Sequence, residues 1–235
     1  MAFLRLGAFA DSLSGKSGNT VFRKTKGGTV VSDHVIPDNP NTLAQQGVRN
    51  NFRRATTNFS TLSDAQVQTW NTFAGNFTHR TKGGKLRAKS GINVYAGLVS
   101  KMLQVNPSAT MPTAPPSTAF TGDSITITAE SETTGTVTFT ASAANASGIT
   151  TELLLQPLRN SHRHPQPQGY RTKAFFTFTS GTLTKNVTVP AGYYAAAYRF
   201  VKTSTGQETG LFLLPVQQVD FSVEAGNSGK QKKAA

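Results

Sequence analysis

After Gly122 the sequence breaks into seven short runs: "DSITITAE", "TVTFTAS", "TTELLLQP", "KAFFTFTS", "LTKNVTV", "YYAAAYRFVKT" and "GLFLLPVQQVDFSV". Each is rich in β-branched or aromatic residues, most alternate with polar ones, and Gly, Asn, Pro or Ser separates them. Alternation of that period puts one set of side chains on one face of a sheet. Seven such strands in about 105 residues predict an antiparallel sandwich of immunoglobulin or fibronectin III-like kind. Tyr193 or Tyr194, at the start of the penultimate run, is placed to serve as a tyrosine corner. The polar stretch "RNSHRHPQPQG" (Arg159–Gly169) reads as a long loop at one end of the sandwich.

The preceding segment has a different character. "NPSATMPTAPPSTAFTG" (Asn106–Gly122) carries four of the eleven prolines in a Ser/Thr/Ala background, as an extended connector does. Upstream of it three stretches have helical period. In "PDNPNTLAQQGVRNNFRRATTNF", Asn39 caps, Pro40 suits the first turn, and Leu43, Val48, Phe52, Ala55 and Phe59 form one apolar stripe. In "LSDAQVQTWNTFAGNF", Ser63 and Gln66 form a capping box ahead of Val67, Trp70, Ala74 and Phe77. In "SGINVYAGLVSKMLQVN", Ile92, Tyr95, Leu98, Val99, Met102 and Val105 share a face. Aromatic residues at this spacing are expected in the core, Phe52, Trp70 and Phe73 among them. Before the helices, Thr20–Thr25 and Thr29–Asp33 read as a hairpin turning at Lys26-Gly27-Gly28. The expected fold is therefore α+β: an N-terminal β-hairpin plus three-helix basic module (1–105), a Pro-rich linker (106–117), an all-β sandwich (118–223) and a flexible basic tail (224–235).

Charge follows the same division. The net charge is +13, yet residues 1–110 hold 14 Lys/Arg against 4 Asp/Glu, while residues 111–235 hold 10 against 7. Lys230, Lys232 and Lys233 of the tail account for the excess in the second half, so the sandwich itself is neutral. Such a break suggests two parts with different partners. Cysteine is absent, which excludes disulfides, thiol nucleophiles and zinc–thiolate sites. The N-terminus interrupts its apolar residues with Arg5 and Asp11, and no apolar run approaches the roughly 20 residues of a membrane span. The expectation is a soluble protein made in a cytosol and without a membrane partner; its Asn-x-Ser/Thr sequons at Asn58, Asn76, Asn145 and Asn186 then carry no glycan.

A search for chemistry yields little. "DSLSGKSGNTVFRKTKGG" contains Gly15-Lys16-Ser17, the end of a P-loop. That motif needs G-x-x-x-x-G-K-[ST] followed by a helix. Here Ala10 occupies the first glycine position, and "TVFRKT" after the motif alternates like a strand. No carboxylates pair at i, i+3 or i+4 on a predicted helix, as acid–base work would want. His162-Arg163-His164 is the one local histidine cluster; its arginine repels a metal and no carboxylate is near. The expectation is no catalytic residue, no metal, no cofactor and no small-molecule substrate, hence no enzyme.

Two readings of the basic module stay open. Arg23, Lys24, Lys26, Arg80, Lys82, Lys85, Arg87 and Lys89 sit on turns able to track a nucleic-acid backbone by phosphate neutralisation. Equally, these cations, with Lys16, Phe22 and the helix-borne Arg49, Arg53 and Arg54, suit arms that dock on an acidic protein surface within an assembly. "RTKGG" (80–84) echoes "KTKGG" (24–28), one turn chemistry used twice.

The string "LSGKSGNTVFRKTKGGTVV…NPNTLAQQGVRNNFRRA" resembles the opening of a family of short bacterial and phage-associated proteins. Their N-termini run S-G-K-x-G-N-x-V, then a basic hairpin, N-x-x-T, Q-x-x-x-R and F. Those positions here are Ser14 to Asn19, Val21, Asn39, Thr42, Gln45 or Gln46, Arg49 and Phe52. "LSDAQVQTWNTFAG…GGKLRAKSGINVY" is similar to the block that follows in phage relatives, where a Trp helix precedes an S-G-x-N-x-[FY] helix. The resemblance spans about residues 10–105. It implies a virion-associated structural role in capsid, neck or tail, with other virion proteins and further copies of the chain as partners, and it brings no catalytic residue.

Overall fold

The computed structural model describes residues 2–4, 13–25, 28–80, 84–131 and 135–220. Lys26, Lys82 and the expected tail (224–235) lie outside the described residues. Contacts divide the chain at Gln45/Gln46 into two compact units.

The first unit is a four-stranded antiparallel sheet. Strands β1 (Ala2–Leu4), β2 (Gly15–Ser17), β3 (Thr20–Thr25) and β4 (Gly28–Asp33) lie in the order β1-β4-β3-β2. The expected hairpin is β3–β4, with Thr25 opposite Gly28. Gly15-Lys16-Ser17 is itself an edge strand, its Ser17 paired with Thr20. Gly18 at φ 57 takes the first central position of the two-residue turn between them, where a II′ hairpin turn calls for glycine. A strand and a tight turn therefore occupy the place where a P-loop would have a loop and a helix.

The second unit holds helices and sandwich together. Helix α1 (Leu43–Phe59) begins at the boundary, and α2 (Asp64–Ala74) and α3 (Gly91–Val105) follow. The capping box forms: Gln66 N–H donates to Ser63 Oγ at 3.4 Å, and Ser63 N–H donates to Gln66 Oε1 at 2.9 Å. Trp70 is fully buried, edge-on to Tyr95 at 4.9 Å and to Phe73 at 6.0 Å. Ala55, Val99, Met102 and Leu103 close the same cluster. The expected stripe on α1 is covered only over its second half. Ala55 is buried and Phe59 packs on Tyr95, whereas Leu43, Val48 and Phe52 stand 85%, 57% and 56% exposed. Phe52 is thus not core, because the helical cluster reaches only the last turns of α1. On α3 the cluster takes Ala96 and Leu103, which the expected face did not include, and leaves out Ile92, which is 38% exposed.

Residues 106–117 are packed against these helices. Trp70 Nε1–H donates to the Thr113 carbonyl at 3.2 Å, Arg54 Nη1 donates to the Pro107 carbonyl at 2.9 Å, and Met111 joins the aromatic cluster. Between α2 and α3 lies a second hairpin, β5 (Thr78–Arg80) and β6 (Leu86–Ala88). Each copy of the Thr-Lys-Gly-Gly echo is flanked by the paired strands of a hairpin, one in each unit.

All seven β runs hold a strand: β7 (Ile127–Glu130), β8 (Thr136–Ala141), β9 (Ile149–Leu158), β10 (Arg171–Phe176), β11 (Thr184–Thr188), β12 (Gly192–Lys202) and β13 (Phe212–Val219). They form two antiparallel sheets, β11-β8-β7 and β10-β9-β12-β13. Ile127, Val137, Phe139 and Val187 of the first share one core with Leu153, Leu155, Tyr198 and Phe200 of the second. The four-stranded sheet is covered on its other face as well. There Leu154, Ala195 and Ala197 pack with Tyr170, which explains why β9 reads as a continuous apolar run. Tyr194 Oη donates to the Pro190 carbonyl at 2.8 Å, which selects Tyr194 over Tyr193 as the corner.

One carboxylate ties α3 to this face. Glu152, fully buried on β9, sits directly across from Arg199 on β12. Arg199 Nε donates to Glu152 Oε2 at 2.6 Å, Lys101 Nζ of α3 lies 3.0 Å from the same oxygen, and Thr172 Oγ1 donates to Oε1. Glu208 closes the network, 3.3 Å from Lys101 and 2.9 Å from Arg199. Burial pushes the Glu152 carboxyl up, but Arg199, Thr172 and Lys101 together outweigh it and hold the group below its ordinary value. The helices from Gln46 onward thus belong with the sandwich, and the hairpin to the other unit, so hairpin and helices do not form the single module expected. No helix among the described residues is long and apolar enough to cross a membrane.

Two stability predictions follow from these cores. Trp70→Ala should cost about 3–5 kcal/mol in denaturant unfolding, since it empties the centre of the helical cluster. Glu152→Gln leaves Lys101 and Arg199 facing one partly exposed carboxylate and should cost roughly 3–5 kcal/mol. Because the folded Glu152 value is depressed, its contribution is full above the ordinary glutamate range and is lost as pH falls through the lowered value. Acid titration of stability should therefore be shallower in Glu152→Gln than in wild type; identical slopes would show that this carboxylate does not govern the acid limb.

Candidate interaction surfaces

The expected partner-binding residues fall into three places. In the first unit, Lys16, Arg23 and Lys24 are exposed and Phe22 is half-buried. Register separates them. Lys16 pairs with Val21 and Arg23 with Val30, so Lys16 and Arg23 share one face. Lys24 lies on the opposite face with Phe22. The β3 cations therefore do not make one patch.

On α1, Arg49 and Arg53 are exposed and Arg54 is half-buried. Arg54 is partly committed to the fold through the Pro107 carbonyl. Beside them Val48 and Phe52 present bare apolar surface, and in the first unit Val35 and Ile36 are 77% and 80% exposed.

The third place is the β5–β6 hairpin, where Arg80, Lys85, Arg87 and Lys89 are all exposed. His79 stands directly across from Arg87, and Arg80 across from Leu86. Lys89 N–H donates to the Phe77 carbonyl at 2.8 Å and prolongs the ladder. His79, Arg87 and Lys89 thereby share one face, since strand side chains alternate.

That face borders a cleft which the sequence did not reveal. It opens between the end of α2, α3 and the turn before Glu208, with a volume of about 350 Å³. Phe73, Phe77, Val94, Leu98 and Phe120 supply apolar walls, and Lys89, Lys101, Gln207 and Glu208 the polar ones. Phe73 and Phe77 have the spacing of a core stripe, which conceals that Phe77, past the end of α2, is 38% exposed. Gly206 sets the cleft's far wall. Its φ of 71 is left-handed, and a Cβ there would overlap the Leu98 carbonyl of α3. The network around Glu152 escaped sequence reading because its members are distant in the chain. The available signal was one carboxylate set inside "TTELLL". His162 and His164 are exposed on the 159–169 loop.

No protein-family model matches this chain, and no curated protein matches it. Among solved structures it is similar to the solution structure of the fn3 domain of human collagen alpha-1(XX) chain, at 13% identity, covering 48% of this chain and 100% of that one, with a TM-score of 0.33. At that score the architecture rests on the strand orders and the shared core given above.

The close approach at Gly206 is directly testable. Gly206→Ala should destabilise by at least ~1–2 kcal/mol from the left-handed backbone alone, with the carbonyl overlap added. Gly210→Ala, where a Cβ meets nothing within 4 Å, should leave the melting temperature near wild type. Equal melting of the two variants would mean that the turn does not need to lie against α3.

Proposed function

We propose that this chain is a non-enzymatic structural component of a phage particle, associated with capsid, neck or tail. It docks on neighbouring virion proteins through its basic N-terminal half and presents a sandwich of fibronectin III kind. The observation that carries the docking reading is bare apolar surface beside cations on α1, Val48 and Phe52 near Arg49 and Arg53, with Val35 and Ile36 adding exposed apolar surface in the first unit. Large apolar side chains exposed together suit a surface that a protein covers. The resemblance of residues 10–105 to phage-associated proteins supports the same setting. For the sandwich, support comes from strand order and the Tyr194 corner. The fourth strand, β10, pairs with the third, whereas a constant-type immunoglobulin domain pairs its fourth strand with the fifth.

A second reading, nucleic-acid binding, draws on one feature, the carboxylate-free hairpin carrying Arg80, Lys85, Arg87 and Lys89. One experiment separates the two. Replacing Arg23, Lys24 and Lys26 by Ser should exclude the protein from particles while leaving affinity for a DNA duplex near the non-specific background. Circular dichroism should show helix and sheet unchanged. Tight wild-type binding to DNA, lost when Arg80, Lys85 and Arg87 are replaced by Ser together with roughly 0.9 units of log–log salt slope per lost phosphate contact, and with incorporation intact, would overturn the docking reading.

A further inference from the structure

We infer that the cleft between α2, α3 and the Gly206 turn seats an acidic peptide segment of a neighbouring protein, anchored by one aromatic or long aliphatic side chain; this rests on the docking reading above. Phe73, Phe77, Leu98 and Phe120 enclose about 350 Å³ of space, near the lower end of ligand-sized clefts. The walls are fixed before any partner arrives. Gly206 lies against the Leu98 carbonyl, and Lys101 and Glu208 are bridged at 3.3 Å. A preformed apolar opening gains from filling without an ordering cost.

Charge identifies the partner. From Ala65 to Gly122 the chain has no carboxylate, while Arg80, Lys82, Lys85, Arg87, Lys89 and Lys101 all lie within that span. Lys89 lines the opening, and Arg87 and His79 continue its face along the hairpin. Among the described residues Glu208 is the single carboxylate of the lining, already held by Lys101 and Arg199. Its oxygens repel any anion placed in the cleft itself, a phosphodiester or a carboxylate, but accept a peptide N–H, which a phosphodiester backbone lacks. A segment with carboxylates for the hairpin, an apolar side chain for the cleft and N–H groups for Glu208 satisfies all three elements, so the observations favour peptide over nucleic acid.

Gly97 provides a clean probe. It lines the cleft from the exposed side of α3, and a Cβ there meets nothing within 4 Å. Gly97→Leu therefore plugs the opening, and it should melt at or above wild type because leucine is the better helix former. The full-length protein is titrated with labelled peptides Asp-Glu-Phe-Glu-Asp and Asp-Glu-Ser-Glu-Asp and with labelled oligothymidylate. Wild type should prefer the Phe peptide by about tenfold or more, the value of one buried aromatic anchor. Gly97→Leu should lose that preference, Gly97→Ala should keep it, and Lys89→Ser should weaken both peptides. Equal binding of the two peptides by wild type, an unaffected Gly97→Leu, or oligothymidylate binding that Gly97→Leu abolishes would each overturn the assignment. Exclusion of the Arg23/Lys24/Lys26 triple variant from particles alongside any of these results would sink the cleft alone. Normal incorporation of that triple variant would sink the docking reading whatever the peptides do.

Discussion

Glu152 lies in the middle of a sheet that is covered on both faces, in a strand whose neighbours are Leu153, Leu154 and Leu155. Removing a carboxylate from water costs several kcal/mol even after the protein relaxes, so the charge must be met closely and from more than one side. Arg199 and Thr172 reach it from the flanking strands β12 and β10, but both belong to the sheet itself. The third partner, Lys101, comes from α3. A helix carrying that lysine has to lie over this face. Its placement fixes the layer order of the second unit: three-stranded sheet, four-stranded sheet, helix.

The rest of that unit follows from the same contact. With α3 held down by Lys101, the turn after β12 passes so near that only glycine fits at Gly206. Glu208, two residues on, reaches back to Lys101 and Arg199 and makes the turn part of the charge network. The helix is held at its Lys101 end, while α2 runs out at Ala74 and leaves Phe77 and the β5–β6 hairpin beyond it. The cleft is the space left between a helix held by charge and a hairpin whose described strands pair with each other. Apolar walls and a cationic rim meet there because two elements with different constraints end side by side.

Much of the architecture was legible because it is locally encoded. The Ser63–Gln66 box announces α2, alternation announces each of the seven strands, and the Thr20–Thr25 and Thr29–Asp33 runs announce the β3–β4 hairpin. What failed was inference from periodicity to burial. Leu43, Val48 and Phe52 have the spacing of a core stripe, yet a stripe states only that one face is apolar, not that anything covers it. The proline-rich stretch reads as a connector by composition, although its carbonyls at Pro107 and Thr113 serve Arg54 and Trp70. The Glu152 network and the cleft join residues far apart in sequence, so neither leaves a local pattern. The choice between Tyr193 and Tyr194 likewise needed the hydrogen bond to Pro190.

Charge bookkeeping inside the second unit bears on what its surface meets. The two carboxylates that meet Lys101 of α3, Glu152 and Glu208, are shared between it and Arg199. Among the described residues no ion pair joins Arg80, Lys85, Arg87 or Lys89 to the sandwich. Like charges held this close repel, and at physiological salt screening only becomes effective beyond about 8 Å. That repulsion is relieved by an external anion, which both functional readings supply. Apolar exposure distinguishes them. A polyelectrolyte backbone gains nothing from covering Val48, Phe52 or the walls of the cleft, whereas a protein surface gains roughly 25 cal/mol for each Å² of apolar area it buries. Cations and bare apolar side chains side by side favour a partner that brings both carboxylates and hydrocarbon, which is the chemistry of an acidic protein surface.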